Sequence, residues 1–252
     1  ALGFFSIFNA DAIEGITLYK GNVPAQYGGR SSSVLDIDLR EGDREAWHGK
    51  GGVGFVSSRL LLEGPTVRGK GSFLAGGRAS YSDWILRSVR NPEVRQSSAR
   101  FHDLTAKVDH QFGERTYVGL TGYHSFDYFR YADQFGYDWS NLLLSGYWRQ
   151  LYSDRLSSTL TLATGNYDTR QFDPEGNDAF NLYGGLRYRR ARFNVLYQPG
   201  DAHLFHLGAE WLWQDTYPER LEPGNAESTV APRAVEKDQG HELALYVNDE
   251  WT

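Results

Sequence analysis

The chain has 252 residues with a formal net charge of −6, of which 40% are hydrophobic and 15% aromatic, and it contains no cysteine. This apolar content excludes a disordered chain, and the lack of cysteine excludes thiolate metal sites and cysteine nucleophiles. No run approaches the roughly 18 apolar residues of a membrane-spanning helix, and no basic face for nucleic acid is evident.

The first forty residues predict a small separate unit. Residues 13–19 and 34–40 have the pattern of two short strands, and a loop rich in glycine and serine, residues 20–33, joins them. From about residue 47 onward the pattern changes to longer strands. We therefore expect two domains, residues 1–42 and residues 43–252.

The second domain is dominated by an alternation of period two. In residues 103–112 the apolar side chains Leu104, Val108 and Phe112 share one face, whereas Asp103 and Asp109 share the other. Side chains alternate across a strand, so each segment predicts a strand with one apolar and one polar face. About ten such strands follow, several of them 10–16 residues long. Strands of soluble sandwiches usually have about 5–6 residues, whereas a tilted strand needs about 9–11 to cross a bilayer.

The connections between these strands alternate between tight and long. Turn-forming residues predict tight connections at residues 64–71, 113–116, 153–155 and 199–202. Long connections are predicted at residues 82–100, 129–138, 168–179 and 218–240. Short turns at one rim and long loops at the other are typical of outer-membrane barrels, and aromatic residues near strand ends fit two interfacial girdles. A soluble β-sandwich with a core of aromatic residues stays open as an alternative.

An ordered set of motifs adds a resemblance to a known family. Residues 8–14 (FNADAIE), 18–21 (LYKG), 24–30 (PAQYGGR) and 32–37 (SSVLDI) resemble the C-terminal part of the plug domain of TonB-dependent outer-membrane receptors. Residues 41–43, 57–59, 62–65 and 77–81 are similar to the first barrel strands of the Bacteroidota-type members.

The resemblance implies an all-β fold: a partial transmembrane antiparallel up-and-down β-barrel preceded by the C-terminal part of a plug. It also implies location in the bacterial outer membrane, import of a nutrient ligand, energy from the TonB complex of the inner membrane, and contact with outer-membrane lipid. Some relatives carry a surface lipoprotein lid. The TonB box, the first part of the plug and about half of the strands of a 22-stranded barrel are absent, so we expect a piece of a longer protein.

Candidate site residues follow from the resemblance. Phe5, Phe8 and Asn9 precede the first strand, at a position that lies towards the external ligand cavity in the resembled fold. Two rings and an amide suit a sugar-like or peptide-like ligand, and they equally suit packing inside the plug.

Arg30 is the candidate for a contact between plug and barrel. It is placed to pair with carboxylates on the inner wall, with Asp103 and Asp109 as the expected partners, and a moving plug has to break this pairing. The alternative is a solvated loop arginine.

Other motifs do not indicate a cofactor or a metal site. Residues 49–54 fit the spacing GxGxxG, but no helix follows them, as a dinucleotide site requires. His203 and His206 are three apart, so in a strand they face opposite sides and cannot share a metal ion. Residues 173–178 offer oxygen ligands for calcium without the spacing of an EF-hand.

Two further functions compete with import. The first is an outer-membrane barrel hydrolase, in which His102, His124 or His241 would act as a base. The second is a soluble carbohydrate-binding β-sandwich, which requires the apolar faces to be turned onto a second sheet. The plug motifs favour import, because a barrel hydrolase needs no plug.

Overall fold

The N-terminal part of the chain folds into a two-stranded sheet. The computed structural model describes residues 9–21, 23–28 and 33–251. Strands β1 (Ile13–Tyr19) and β2 (Val34–Leu39) pair antiparallel, with Leu18 opposite Leu35. Short 3-10 turns at Ala10–Ala12 and Ala25–Tyr27 flank the first strand. Both predicted strands are present, whereas the boundary between residues 42 and 43 stays a prediction.

The rest of the chain forms one large antiparallel sheet in which neighbours in sequence pair in space. Its strands are β3 (His48–Val53), β4 (Ser57–Val67), β5 (Gly71–Ser80), β6 (Ser98–Phe112), β7 (Thr116–Tyr131), β8 (Phe135–Ser153), β9 (Leu156–Asp173), β10 (Phe180–Tyr197), β11 (His203–Pro223), β12 (Arg233–Ala234) and β13 (Asp238–Trp251). Both β12 and β13 pair with β11, and β3 and β13 are the outer strands of an open sheet. The fold is the predicted up-and-down wall of a partial barrel.

Helices are short in the described ranges. Helices α1 (Asp83–Arg87) and α2 (Pro92–Gln96) lie in the connection between β5 and β6. No helix in these ranges combines the length and the apolar character needed to cross a bilayer.

The two rims of the sheet differ in the length of their connections. One rim carries the short connections 68–70, 113–115, 154–155 and 198–202, and the opposite rim carries 81–97, 174–179 and 224–237. The prediction of a long loop at residues 129–138 was wrong, because β7 and β8 keep pairing up to Tyr131 and Phe135 and leave only three residues between them. The stacked rings of Tyr131 and Phe135, 5.7 Å apart, extend the strands there.

The apolar face of the sheet is the exposed one. On β6 and β7 the side chains of Leu104 and Leu120 are 60% and 63% exposed, whereas Asp103, Thr105 and Asp109 are buried on the opposite face. Buried polar groups and exposed leucines are the reverse of a soluble protein's usual arrangement. The β-sandwich alternative is therefore wrong: the apolar face of the wall has no second sheet on it within the described residues.

The two-stranded sheet packs against the polar, inner face of the wall. Ala12 lies in a small apolar cluster with Leu61 of β4 and Leu74 of β5, and Leu39 packs against it. The close approach requires a glycine, because a Cβ atom at Gly76 would lie 2.6 Å from Leu61 Cδ1 and 3.3 Å from Asn9 Nδ2. The N-terminal unit therefore lies on the face of the wall opposite to the one that exposes Leu104 and Leu120.

Candidate functional site at the junction of the two sheets

One carboxylate of the N-terminal unit is held by two cations of the wall. Asp11, in the first 3-10 turn, is buried, and its Oδ1 lies 2.7 Å from Lys50 Nζ of β3. Its Oδ2 accepts a hydrogen bond of 2.6 Å from Arg59 Nε of β4. Alternation places Lys50 and Arg59 on the inner face, together with the buried Leu61. We call Asp11, Lys50 and Arg59 the docking triad.

The electrostatics of the docking triad favour the ionised carboxylate. The hydrogen bond from Lys50 is the main cause that lowers the pKa of Asp11 below its ordinary value of 3.8; burial opposes it, and the contact with Arg59 adds to it. The Lys50 and Arg59 side chains are 62% and 52% exposed, so water screens both cations. Such a pairing stabilises docking modestly and can be exchanged for hydration.

A second set of polar contacts lies beside the docking triad. Arg40, which follows β2, donates to the carbonyl oxygen of Asp11 at 3.2 Å and forms an ion pair of 2.8 Å with Glu63 of β4. Lys107 of β6 donates to the carbonyl oxygen of Leu39 at 3.4 Å. These contacts connect the turn before β1 and the end of β2 to the wall.

The far loop of the N-terminal unit also contacts the wall. The ring of Tyr27 lies 5.9 Å from the guanidinium carbon of Arg192 on β10, and its hydroxyl donates to Asp36 at 2.5 Å. Burial is the first cause that raises the pKa of the Tyr27 phenol, and the hydrogen bond to the Asp36 carboxylate adds to it. The wall therefore curves around the unit, contacting it from β3 to β10.

Asn9 is the only one of the predicted ligand residues that lies in the described part of the chain. Its side chain is 1% exposed, and its Oδ1 accepts a hydrogen bond of 3.1 Å from the backbone N–H of Asp11. Asn9 therefore caps the turn that presents Asp11 to the wall. Phe5 and Phe8 lie outside the described residues, and ligand binding by all three stays a prediction.

Asp103 and Asp109 lie on the inner face of the wall, as predicted, but their observed partners come from the wall itself. Arg78 Nη2 is 2.6 Å from Asp103 Oδ2, and the Tyr147 hydroxyl donates to Asp109 Oδ1 at 2.7 Å. Asp103 Oδ1 is buried and accepts no hydrogen bond from the described residues, whereas Asp109 Oδ2 lies 3.5 Å from Lys107 Nζ in an ion pair. Arg30 is outside those residues, so its pairing with these carboxylates stays a prediction.

A cavity of about 430 Å³ opens on the inner face near the rim of the long connections. The rings of Tyr137, Trp139 and Tyr167 line it together with Gln171 and Leu182. Aromatic surfaces with a few polar groups are typical of small-molecule sites. Sequence reasoning missed this cavity and the docking triad; the alternation of Tyr137 and Trp139 with outward residues was the available signal for the cavity.

The histidines do not form a catalytic arrangement. His102 and His124 stack on each other at 5.7 Å on the outer face, and His241 accepts from Trp211 Nε1 at 3.3 Å on the same face. Each of the three histidines named as a candidate base thus lies on the outer face of the wall, beside another ring.

His203 and His206 confirm the prediction that they face opposite sides. His203 Nδ1 lies 2.8 Å from Asp249, and His206 Nε2 lies 3.2 Å from Glu250, the next residue along β13. Across residues 9–21, 23–28 and 33–251, no group of three His, Asp or Glu side chains is arranged to hold a metal ion.

Comparison with solved structures identifies the fold. The siderophore receptor PiuA from Acinetobacter baumannii superposes with a TM-score of 0.63 and 10% identity over 94% of this chain and 45% of its own. The siderophore receptor PirA from the same organism gives 0.62 and 15% over 95% of this chain and 41% of its own. The chain thus spans less than half the length of either receptor. The protease OmpT from Escherichia coli aligns at a TM-score of only 0.30, too low to support an argument.

Sequence comparisons add no assignment. No family model matches the chain, and no curated protein matches it. The shared feature is therefore the fold: a curved antiparallel wall with a small unit on its inner face.

Proposed function

We propose that the chain forms the end of the plug and part of the barrel wall of an outer-membrane receptor that imports a nutrient with energy from the TonB complex of the inner membrane. One observation carries this proposal: a small two-stranded unit is docked, through a buried carboxylate, on the polar face of a wall whose opposite face exposes leucines. A lipid-solvated wall and an internal stopper both need this arrangement.

The docking contacts suit a unit that has to move. The ion pairs of Asp11 are made to half-exposed cations, and surface pairs of this kind contribute about 0–1 kcal/mol each. The apolar cluster beside them contains only two buried leucines, Leu61 and Leu74. A force applied to the unit therefore meets contacts that water can replace one at a time, while the inter-strand hydrogen bonds of the wall stay intact.

The aromatic cavity is the proposed entry site for the ligand. It lies on the inner face near the rim of the long connections, where Tyr137, Trp139 and Tyr167 offer flat apolar surfaces and Gln171 offers an amide. Phe5, Phe8 and Asn9 are proposed to complete the site from the plug. The two structural neighbours are described as siderophore receptors, so ferric siderophores are the first ligand class to test.

Three finer assignments belong to this proposal and rest on the sequence motifs. They are membership of the Bacteroidota-type branch, a surface lipoprotein lid, and the pairing of Arg30 with Asp103 or Asp109. The buried Asp103 Oδ1, which accepts no hydrogen bond from the described residues, supports a pairing of Arg30 with Asp103, because a buried acceptor without a donor is costly.

The test is energised uptake by the bacterium that carries the natural gene. Cells are grown under iron limitation and given a panel of ⁵⁵Fe-loaded catecholate and hydroxamate siderophores, with and without a protonophore, and the protein is located by sucrose-gradient fractionation of the membranes. We expect the protein in the outer-membrane fraction and a protonophore-sensitive uptake of at least one chelate that is lost on gene deletion. A protein recovered in the soluble fraction would refute the proposal.

A variant connects uptake with the docking triad. Asp11→Asn keeps the shape of the side chain and removes its charge, so the N-terminal unit should be released more easily; we expect altered uptake at unchanged protein level. Glu45→Gln is the matched control, because Glu45 pairs with Arg68 at 3.5 Å in an exposed position away from the docked unit. Equal uptake rates in wild type and Asp11→Asn would show that the triad does not hold the moving unit.

A further inference from the structure

One carboxylate of the inner face lies beside the aromatic cavity. Asp127 of β7 is half-buried and lies four residues before Tyr131, where the strand ends at the rim of the long connections. Its neighbours in register are Phe101 of β6 and Trp139 of β8, so both rings share its face of the wall. Trp139 also lines the aromatic cavity of about 430 Å³. We call Phe101, Asp127 and Trp139 the acidic aromatic site.

The wall supplies no counter-ion for Asp127. The charge of Arg78 on β5 acts on it, but Arg78 is bound to a different carboxylate: its Nη2 and Nε lie 2.6 and 2.8 Å from Asp103 Oδ2. Among the described residues, no lysine, arginine or histidine forms an ion pair with Asp127. Because Arg78 neutralises Asp103, the negative charge of Asp127 stays available to a cation that enters from outside.

The inner positions next to the acidic aromatic site carry no positive charge. From the rim inward, alternation on β8 and β9 places the following side chains on this face: Tyr137, Trp139 and Asn141, and Gln171, Thr169 and Tyr167. The arginines of the inner face on β10, Arg190 and Arg192, both contact Glu210, at 3.4 and 2.5 Å. An anionic ligand in the cavity would therefore be repelled by Asp127 without gaining a cationic partner among these residues, whereas a cationic group would be attracted.

The two rings beside Asp127 add to this attraction. The face of an aromatic ring carries negative charge density and attracts a cation within about 6 Å of its centre. Arg78 shows that the Phe101 ring can do so, because its guanidinium carbon lies 5.5 Å from the ring centre. Facing residues on paired strands have Cβ atoms about 5 Å apart, so a cation on the Asp127 carboxylate is also within reach of the Trp139 ring. The remainder of the same ligand can then stack in the cavity on the other side of Trp139.

We propose that the acidic aromatic site binds a protonated amine or a guanidinium group of the imported ligand, and that Asp127 makes the receptor select cationic ligands over neutral and anionic ones. The inference rests on the proposed function, because it takes the aromatic cavity to be the entry site of that ligand. It goes further by assigning the sign of the ligand's charge and the residue that recognises it.

The test measures the binding of three iron chelates to the full protein purified in a nonionic detergent, by isothermal titration calorimetry. The probes are ferrioxamine B, which is a ferric trihydroxamate with a terminal ammonium group, the same complex with this nitrogen acetylated, and a ferric tricatecholate, which is anionic. We expect the wild type to bind ferrioxamine B about tenfold more tightly than the acetylated form, since one charge-assisted contact contributes roughly this factor. The tricatecholate should bind most weakly.

Variants assign the selection to one carboxylate. Asp127→Asn keeps the size of the side chain and removes its charge, so we expect the preference for ferrioxamine B to vanish, while the acetylated complex binds as in the wild type and reports a normal fold. Asp127→Glu keeps the charge and should keep most of the preference. Asp168→Asn is the matched control, because Asp168 lies on β9 between Tyr167 and Thr169 but on the outer face, where it accepts from Asn166 Nδ2 at 3.0 Å. Its replacement should leave the preference unchanged.

The outcomes separate this inference from the proposed function. Ferrioxamine B that binds no more tightly than its acetylated form, or that does not bind at all, overturns the charge selection. A preference that persists in Asp127→Asn, or that is lost equally in Asp168→Asn, overturns the assignment to Asp127. If the protein fractionates with the outer membrane and imports its ligand in a protonophore-sensitive way while any of these results is obtained, only the charge selection fails and the proposed function stands.

Discussion

Leu120→Arg tests which solvent covers the apolar face of the wall. Leu120 is 63% exposed and points outward from β7, five residues from the short connection 113–115. With a rise of about 2.5 Å per residue along the barrel axis, it lies roughly 12 Å above that rim, near the middle of an apolar band about 25 Å tall.

The expected magnitude depends on whether the solvent is lipid or water. An arginine near the midplane of a membrane barrel costs about 2–4 kcal/mol, and the lost apolar contact of the leucine with lipid adds about 1–2 kcal/mol for the fraction of its surface that is exposed. We therefore expect the free energy of unfolding to fall by about 3–6 kcal/mol. In water, an exposed leucine changed to arginine would alter it by no more than about 0.5 kcal/mol.

The assay is reversible urea unfolding of the protein in thin phospholipid vesicles, followed by tryptophan fluorescence. Ser145→Arg is the matched control, because Ser145 pairs with Thr121, the neighbour of Leu120, and faces the polar side of the wall. We expect the control to change stability by less than about 1 kcal/mol. Equal losses for Leu120→Arg and Ser145→Arg, or a loss below 0.5 kcal/mol for Leu120→Arg, would refute the assignment of the outer face to lipid.

Three further predictions concern the inner face. Leu61→Ala should lower the unfolding free energy by about 2–5 kcal/mol in urea titrations, because a fully buried leucine leaves a cavity under the N-terminal unit; a loss below 1 kcal/mol would show that the unit is not packed there. Gly119→Ala should cost more than about 2 kcal/mol, because its Cβ would lie 2.1 Å from the Tyr147 ring, whereas Gly146→Ala meets nothing closer than 3.5 Å and should be tolerated. The pKa of Asp11 is lower in the folded protein than in the unfolded chain, so the contribution of Asp11 to docking is complete above about pH 4 and is lost as the pH falls further. Limited proteolysis of the N-terminal unit measured from pH 6 to pH 3 should therefore show increasing cleavage in the wild type. The same measurement on Asp11→Asn should show a smaller dependence on pH.

The sequence predicts the wall well because alternation is a local signal. Apolar residues at alternating positions, such as Leu104, Val108 and Leu120, predict the apolar face of each strand, and the structure places them on the outer face of the wall. The same signal failed at residues 129–138, where a long loop was predicted. Rings at the adjoining ends of β7 and β8 contact each other across the two strands, and this packing between strands is invisible in either strand alone.

The docking contacts could not be predicted in the same way. Asp11 and Arg59 are 48 positions apart, and no local pattern joins a carboxylate in a turn to a cation in a strand of another sheet. Asn9 is different, because an asparagine before a short turn is a recognisable cap. Its capping role was available from the sequence, whereas the prediction from resemblance named it as a candidate for ligand contact or for packing inside the plug, and the ligand contact stays a prediction.

The distribution of polar contacts suits the proposed combination of a permanent wall and a movable unit. Each long strand of the wall is joined to its neighbours by a ladder of backbone hydrogen bonds along most of its length, and lipid around the proposed barrel would protect these bonds from competition by water. Among the described residues, the N-terminal unit contacts the wall through a few side-chain interactions at its base and loop, and it leaves Ile16, Leu18 and Leu35 between 49% and 60% exposed. Because few apolar contacts and half-exposed ion pairs give a low cost of local separation, the unit should detach long before the wall unfolds.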